Sequence, residues 1–297
     1  MATPSSFDTN RYQRSREDTR DIVVDRIIRF LAYLVLILVT IVTIGPFYFS
    51  VVLSLLPQPQ TVRLDLWSFI PNSDWQIDAY LDVFRASDLP LWFLNSSIVA
   101  LIWVAARCLF DTMAGYAFAR MNFPGKDLAF LVILSTLMIP GMVTLIPKFI
   151  ILNEMGLLNT YGALTVPFLA DAFGIFLMRQ FFMNFPVDLE DAARIDGASR
   201  WRMFFHIALP NAGAALTTLV IFSFQGSWNN FLEPLIYISD ASLRTLPIGL
   251  AFFRRENVVD YPLQMSVAIV SIIPIVIVFF VFQRYFLESN ASSGIKG

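Results

Sequence analysis

Six long apolar runs constrain the fold of this chain more than any other feature of its sequence. They extend over about residues 27–56, 91–119, 128–152, 161–182, 212–238 and 263–286. About 20 helical residues, at roughly 1.5 Å each, cross a hydrocarbon core that is about 30 Å thick. The runs are continuously apolar rather than alternating, which favours helices over a β-barrel. The sequence therefore predicts an all-α polytopic membrane protein with about six transmembrane helices.

The composition supports this prediction. Of the 297 residues, 57% are hydrophobic and 15% are charged, whereas roughly 25% are charged in soluble domains. The first run is too long for the core of a signal peptide, and no small-residue cleavage site follows it, so we expect it to remain as a membrane helix. Residues 1–25 are expected to form a flexible polar tail that folds only near its end, and residues 26–297 to form the membrane domain.

Several functional classes fit the sequence poorly. The formal net charge is −2, so no basic excess points to a nucleic-acid partner. With one cysteine and one histidine, the chain cannot form an intrachain disulfide, and we expect no metal site. No P-loop pattern, G-x-x-x-x-G-K-S/T, occurs. We therefore expect a protein that is not an enzyme, with no catalytic residues and no cofactor bound to this chain.

Lysine and arginine are concentrated on one side of the predicted spans. Most of the 21 basic residues lie in the N-terminal tail and in the loops on the same side of the membrane. Cytoplasmic loops carry such an excess. Both termini are therefore predicted to be cytoplasmic, together with residues 184–211, the polar loop between the fourth and fifth runs.

The polar loop contains residues that typically start and end short helices, in an order that predicts two of them. Pro186 can open the first helix, and Gly197 can end it by adopting a positive φ. Ser199 is suited to cap the second helix, and Pro210 is expected to stop it. Two interpretations of this segment remain open: an amphipathic hairpin resting on the bilayer or on the protein's own helices, and a docking element for a separate cytoplasmic protein.

One pattern in the polar loop resembles a known family. Asp191-Ala192-Ala193, three residues, Gly197, nine residues and Ile207-Ala208-Leu209-Pro210 are similar to the EAA motif of ABC importer permeases, E-A-A, x3, G, x9, I-x-L-P. Asp191 stands where glutamate is usual, and Glu190 precedes it. Further segments resemble carbohydrate-uptake permeases of the maltose-importer type over residues 25–297: GYAFARMNFPGK, MIPGMVTLIP, LLNTYGALTVPFLADAFGIFLMRQFF, FSFQGSWNNFLEPL, FQRYF and the final KG.

The resemblance implies a permease of the bacterial inner membrane that works in a complex. Its partners would be a second permease in a heterodimer, two ATPase subunits that bind ATP and Mg, and an extracytoplasmic solute-binding protein. The polar loop would be the coupling loop that seats on an ATPase. The implied coupling residues are Glu190, Asp191, Ala192, Ala193, Gly197, Ile207, Leu209 and Pro210, with Asp191, either alone or together with Glu190, pairing with a basic residue of the ATPase.

Three ionisable residues lie inside predicted spans. Arg107 and Asp111 are four residues apart and share one helix face, and Asp171 lies near the middle of the fourth run. Ionisable groups at that depth face protein or water. One interpretation is a neutralising Arg107–Asp111 ion pair that helps packing. The other places one or more of these residues on the substrate path, where the Asp171 carboxylate would accept hydrogen bonds from sugar hydroxyls.

A second polar cluster lies in the fifth run: Gln225, Ser227, Trp228, Asn229 and Asn230. Amides beside an aromatic ring suit a carbohydrate, but such residues also join helix to helix, and both roles remain open. We expect a neutral di- or oligosaccharide as the substrate, with a polyol or a glycerol-phosphate compound as the alternative. An ion-coupled secondary transporter using Asp111 or Asp171 is the rival class, and it would usually show more spans and an internal repeat.

Overall fold

The backbone is helical and contains no strand in the residues that the structure, a computed structural model, describes: 7–61, 64–71, 74–256 and 260–293. The α-helices are α1 (Phe7–Leu55), α2 (Gln58–Thr61), α3 (Asp78–Ala86), α4 (Leu89–Arg120), α5 (Lys126–Thr136), α6 (Gly141–Glu154), α7 (Tyr161–Thr165), α8 (Ala172–Asn184), α9 (Val187–Ile195), α10 (Arg200–Met203), α11 (Leu209–Asn211), α12 (Gly213–Trp228), α13 (Leu232–Tyr237), α14 (Leu246–Glu256) and α15 (Tyr261–Ser293). Short 3-10 helices cover Leu66–Phe69, Val166–Phe168 and Ala241–Leu243, and a π-helix covers Phe204–Ala208.

Four helical segments of the described chain are long and apolar enough to cross a membrane. They are Val24–Leu55, Leu89–Arg120, Tyr161–Asn184 and Tyr261–Gln283. Two bent pairs meet the same criteria, Lys126–Thr136 with Gly141–Glu154 and Arg200–Asn211 with Gly213–Trp228, which gives up to six spans. The predicted all-α polytopic fold is confirmed.

Two of the predicted runs are not continuous helices. The third run bends by 101° between α5 and α6, because Pro140 lacks an N–H and disfavours a helical conformation at the residue before it. The fifth run, predicted over residues 212–238, breaks after Trp228 and resumes as the short helix α13. The asparagine pair that follows Trp228 competes for backbone hydrogen bonds and disfavours continuing the helix.

The N-terminal tail differs from the expectation as well. Helix α1 begins at Phe7, so the stretch to residue 25 continues the first span as a helix instead of forming a flexible tail. Neither glycine nor proline occurs between Phe7 and Ile44. An ion pair of 3.8 Å between Arg29 and Asp25, one turn apart, adds to the local helical interactions. Residues 1–6 of the predicted tail lie outside the described residues.

Helix α4 is the centre of the packing. It contacts α8, α12, α14 and α7, and it approaches α8 very closely at Gly115. A Cβ atom at Gly115 would lie 2.6 Å from the Cβ of Met178 and 2.8 Å from the backbone nitrogen of Arg179. Only glycine fits this crossing, so α4 and α8 pack with their backbones nearly in contact.

Side chains of α4 also hydrogen-bond the backbone where the fourth span is broken. This span consists of α7, a 3-10 helix and α8, with a break at residues 169–171. Trp103 Nε1 donates to the carbonyl of Leu164 (2.7 Å) and Arg107 Nε donates to the carbonyl of Phe168 (3.0 Å). Asp111 Oδ1 accepts from the backbone N–H of Asp171 (2.9 Å). The three side chains follow one another at four-residue spacing on a single face of α4.

Side chains in the first turns of α4 also hydrogen-bond the backbone of a second irregular segment, residues 242–246. Asn95 Nδ2 donates to the carbonyls of Ser242 and Arg244, both at 2.9 Å. Ser96 Oγ accepts from the N–H of Leu246 at 2.8 Å, at the start of α14. The capping side chains of α4 are therefore Asn95, Ser96, Trp103, Arg107 and Asp111. In a bilayer, each backbone group without a partner costs several kcal/mol, so these side chains allow broken segments to lie inside the protein.

The expected ion pair between Arg107 and Asp111 is not formed. Among the described residues, no contact of 4.0 Å or less joins their charged atoms. The Arg107 guanidinium lies 4.7 Å from the ring centroid of Trp103, while its Nε is bonded to Phe168. Arg107 and Asp111 therefore each hydrogen-bond a backbone group of the fourth span instead of each other. The carboxylates of Asp111 and Asp171 still interact electrostatically with Arg107.

The capping role of Trp103 is testable with a matched pair of substitutions. Trp103→Phe should lower the free energy of unfolding by about 1–3 kcal/mol more than Trp92→Phe does. The reason is that Trp92 is equally buried, at 5% against 4% exposed, but its Nε1 has no hydrogen-bond partner. Thermal unfolding of the purified protein in detergent measures the difference.

Both substitutions remove the same atoms from the interior, so the loss of packing is matched. Equal loss of stability in the two variants would contradict the capping role. It would mean that the hydrogen bond from Trp103 to Leu164 adds nothing to the stability that the packing of the ring provides.

Candidate functional site

The first half of the polar loop forms helix α9, as its sequence predicts. Pro186 occupies the N-cap position, and the acidic residues Asp188 and Glu190 lie in the first turn, where the helix dipole favours negative charge. The chain leaves the helix through Gly197, whose φ of +76° is strained for any residue with a side chain. Gly197 therefore sets the angle between the two halves of the loop.

The second half of the polar loop begins as predicted and ends differently. Ser199 Oγ accepts from the N–H of Arg202 at 3.3 Å and caps α10. Pro210 does not stop the helical path, because it lies in the first turn of α11, where its missing N–H is tolerated. The chain turns at Ala212 instead, and the segment Arg200–Asn211 meets α12 at 78°.

Glu190 faces the interior of the protein. Its carboxylate lies 3.4 Å from Arg120 Nε at the end of α4, and the two side chains are 5% and 13% exposed. Arg120 also donates from Nη2 to the carbonyl of Phe185, just before α9. The Glu190 side chain is therefore buried against α4 and is not on the exposed surface of the loop, where an ATPase could reach it. Ala193, one turn further along, is buried on the same side.

Asp191 faces outward, one residue further along. Its carboxylate pairs with Arg194 on the same helix at 2.7 Å, and the two side chains are 51% and 64% exposed. Ala192 is exposed beside it. The exposed apolar side chains of the loop are Leu189, Ile195, Trp201 and Phe205, and the rings of the last two stack with centroids 6.0 Å apart. We call the surface formed by Leu189, Asp191, Ala192, Ile195, Trp201 and Phe205 the outer face of the polar loop.

The remaining motif residues lie at the end of the loop. Ile207 and Leu209 are half-buried and Pro210 is exposed. Leu209 packs at the edge of a buried cluster that contains Tyr116, Phe182 and Phe204. The motif therefore contributes both to the exposed surface and to the contact that seats the loop on α4 and α8.

The predicted substrate-path residues separate into two groups. Trp228 is 3% exposed, its Nε1 donates to the carbonyl of Ser271 at 3.0 Å, and its ring packs against Phe93 and Phe224. It is thus a helix-to-helix contact and is not available to a substrate here. Ser227 is also buried. The other members of the cluster are accessible: Gln225 and Asn229 are exposed and Asn230 is half-buried.

Asp171 is half-buried and caps α8. One carboxylate oxygen accepts from the N–H of Gly174 at 3.3 Å. Within the described part of the chain, no hydrogen bond joins Asp171 to the cluster at the end of α12. Asp171 lies at the break in the fourth span, and residues 229–231 form the break after α12. Non-helical backbone of this kind lines cavities in transporters.

Sequence reasoning missed Arg120 as a residue of the site. It lies in the quoted segment GYAFARMNFPGK, but nothing in the spacing relates it to Glu190. The only local signal was a basic residue at the end of an apolar span, which also fits an ordinary interfacial arginine.

The comparison with protein families identifies one match. Residues 111–289 match the family described as binding-protein-dependent transport system inner membrane component. The match begins within α4 and extends into α15, so it includes the whole of the polar loop.

Two characterised proteins illustrate the similarity in sequence. The chain is 34% identical over 260 residues to the arabinooligosaccharides transport system permease protein AraQ of Halalkalibacterium halodurans, covering 87% of this chain and 93% of the relative. It is 32% identical over 261 residues to the lactose transport system permease protein LacG of Rhizobium radiobacter, covering 88% and 94%.

A solved structure shows the same fold. A chain of a bacterial ABC transporter involved in the import of the acidic polysaccharide alginate superposes with a TM-score of 0.79 at 22% identity, and the match covers 89% of this chain and 98% of that one. The extent of the family match and the identity with relatives of nearly equal length confirm the resemblance inferred from the polar loop. The chain belongs to the family of binding-protein-dependent transport system inner membrane components, the multi-pass permease subunits of ABC importers.

Proposed function

We propose that this chain forms half of the translocation path of an ATP-driven importer for a neutral di- or oligosaccharide. The observation that carries the proposal is the outer face of the polar loop, which combines a carboxylate, a small residue and exposed apolar side chains on adjoining helices. Two relatives are named as permeases for arabinooligosaccharides and for lactose, and these names support the substrate class.

The outer face of the polar loop suits a groove on an ATPase subunit. Ile195 is 87% exposed and Leu189 is 47% exposed, and such side chains gain stability when a partner removes them from water. Asp191 would exchange its exposed pair with Arg194 for a basic residue of the ATPase. Closure of two ATPases around ATP and Mg would move the loop, and the attached helices would swing between inward-open and outward-open arrangements.

The location follows from this role. ATP is available in the cytoplasm, so the polar loop and both termini would face it, in agreement with the distribution of lysine and arginine. The other partners would be a second permease, which completes the path, and an extracytoplasmic solute-binding protein, which delivers the sugar.

The substrate path would use the accessible polar residues at the two breaks in the spans. Gln225, Asn229 and Asn230 offer amide donors and acceptors, and the Asp171 carboxylate accepts hydrogen bonds from hydroxyls. These are few groups for a di- or oligosaccharide, so the second permease would supply many of the substrate contacts.

Reconstitution tests the proposal. The purified complex in proteoliposomes should take up a neutral di- or oligosaccharide only with the binding protein and ATP. Asp191→Lys should reduce that uptake about tenfold or more, since it places a like charge against the basic partner. The fold should persist, because an exposed ion pair such as Asp191–Arg194 contributes only about 0–1 kcal/mol.

Asp127→Lys is the matched control, because Asp127 is an exposed aspartate in the first turn of α5, outside the polar loop. Its uptake should remain close to that of the native protein. Uptake driven by a proton gradient without ATP would refute the proposal, uptake restricted to polyols or glycerol phosphates would overturn the substrate class, and full uptake by Asp191→Lys would remove the role of Asp191.

A further inference from the structure

We infer that the buried ion pair between Arg120 and Glu190 makes α9 and α4 move as one body, so that Glu190 is a positioning residue inside the permease. This inference rests on the proposed function, because it concerns how movement of the polar loop reaches the spans. It assigns different tasks to two adjacent acidic residues: Asp191 faces the partner, and Glu190 holds the helix to α4.

Helix α9 needs such a connection because the backbone on both sides of it is non-helical. Phe185 is extended between α8 and α9, with φ −70° and ψ 137°, and Pro186 follows it. At the other end, Gly197 adopts a positive φ. Without a further contact, α9 could turn about these two joints when an ATPase pushes on its outer face.

Arg120 holds both the entry to α9 and its first turn. The guanidinium bonds the carbonyl of Phe185 through Nη2 and faces the carboxylate of Glu190 through Nε. Among the described residues, this is the only ion pair that joins α9 to another helix, since Asp191–Arg194 lies within α9. Arg120 therefore contacts this segment at two points, through a hydrogen bond to the carbonyl of Phe185 and through an ion pair of 3.4 Å with Glu190 that lacks hydrogen-bond geometry, and together they position α9 relative to the end of α4.

The surroundings make this connection stiff. The Tyr116 ring, one turn before Arg120 on α4, packs edge-on against Phe182 of α8, with centroids 5.3 Å apart. It also packs in a tilted arrangement against Phe204 of the second half of the loop, with centroids 5.2 Å apart. Tyr116 also lies close to Glu190. In such a dry environment an ion pair is screened little, and removing either partner leaves an uncompensated buried charge.

The contacts of α4 beyond Arg120 indicate which helices would follow a displacement of α9. The same helix carries Asp111 and Arg107, which bond the break in the fourth span, and it crosses α8 at Gly115 in backbone-to-backbone contact. A displacement of α9 would therefore be delivered through Arg120 to α4 and α8 together, where the broken span lies.

A charge-swap cycle tests the inference. Glu190→Arg and Arg120→Glu should each lower the ratio of sugar transported to ATP hydrolysed by the reconstituted complex about tenfold. The double variant, which restores opposite charges across the contact, should recover most of that ratio. A pair that only stabilises the fold would reduce the amount of complex recovered and leave the ratio of the assembled complexes unchanged.

The outward-facing pair provides the matched control. Asp191→Arg should also lower the ratio, but adding Arg194→Glu should not restore it, because the partner of Asp191 in the working complex lies on another subunit. The inference is overturned if Arg120→Glu leaves the ratio unchanged, or if the swap of Arg120 and Glu190 fails to restore it in complexes that assemble.

A second measurement does not depend on the stability of the charge variants. In a Cys108→Ser background, spin labels at Val187→Cys on α9, which is exposed but outside the outer face of the polar loop, and at Leu109→Cys on α4 report the distance between the two helices. The distance should be the same in the resting and the ATP-bound complex. A change on the scale of one helical turn, about 5.4 Å, would show that α9 moves independently and would overturn the inference.

The two experiments separate this inference from the proposed function. If the native complex shows no ATP-driven uptake, the proposed function fails. If the native complex couples ATP to uptake while the swap or the distance gives the contrary result, only the role of Arg120 and Glu190 fails.

Discussion

Hydrogen bonds from the side chains of α4 to interrupted backbone are the interaction on which the rest of this structure depends. Lipid offers no partner for an exposed N–H or carbonyl, so a span that breaks must find its partners within the protein. Trp103 and Arg107 cap carbonyls at Leu164 and Phe168, and Asp111 receives the N–H at the start of α8. A conventional apolar helix in the place of α4 would leave these groups unsatisfied.

The same arrangement relates fold to function. Because α4 crosses α8 at Gly115 without intervening side chains, the two helices form a stiff pair, and Arg120 extends that pair to the polar loop. The outer face of the polar loop is exposed and its inner face is buried against α4. The proposed coupling role needs both properties at once, because movement of the outer face would reach the spans only if the loop is firmly joined to α4.

Part of this picture follows from the sequence and part does not. Hydropathy locates the six runs because apolar length is a local property, and Pro186, Gly197 and Ser199 mark the helices of the polar loop because caps and turns are local too. That Glu190 is buried while Asp191 is exposed could not be read from the sequence, because the contact of Glu190 is with Arg120, which is distant in the chain. Likewise, Trp228 could belong to a sugar site or to the core until its contacts with Phe93 and Ser271 are known.

Structures of the assembled complex with and without bound nucleotide would test this view of α4 as the element that carries movement. The expected result is that the Trp103–Leu164 and Arg107–Phe168 hydrogen bonds and the Arg120–Glu190 pair persist in both states, with the outer face of the polar loop seated on an ATPase. Bonds that exchange partners between the states, or a polar loop that contacts only lipid, would contradict it.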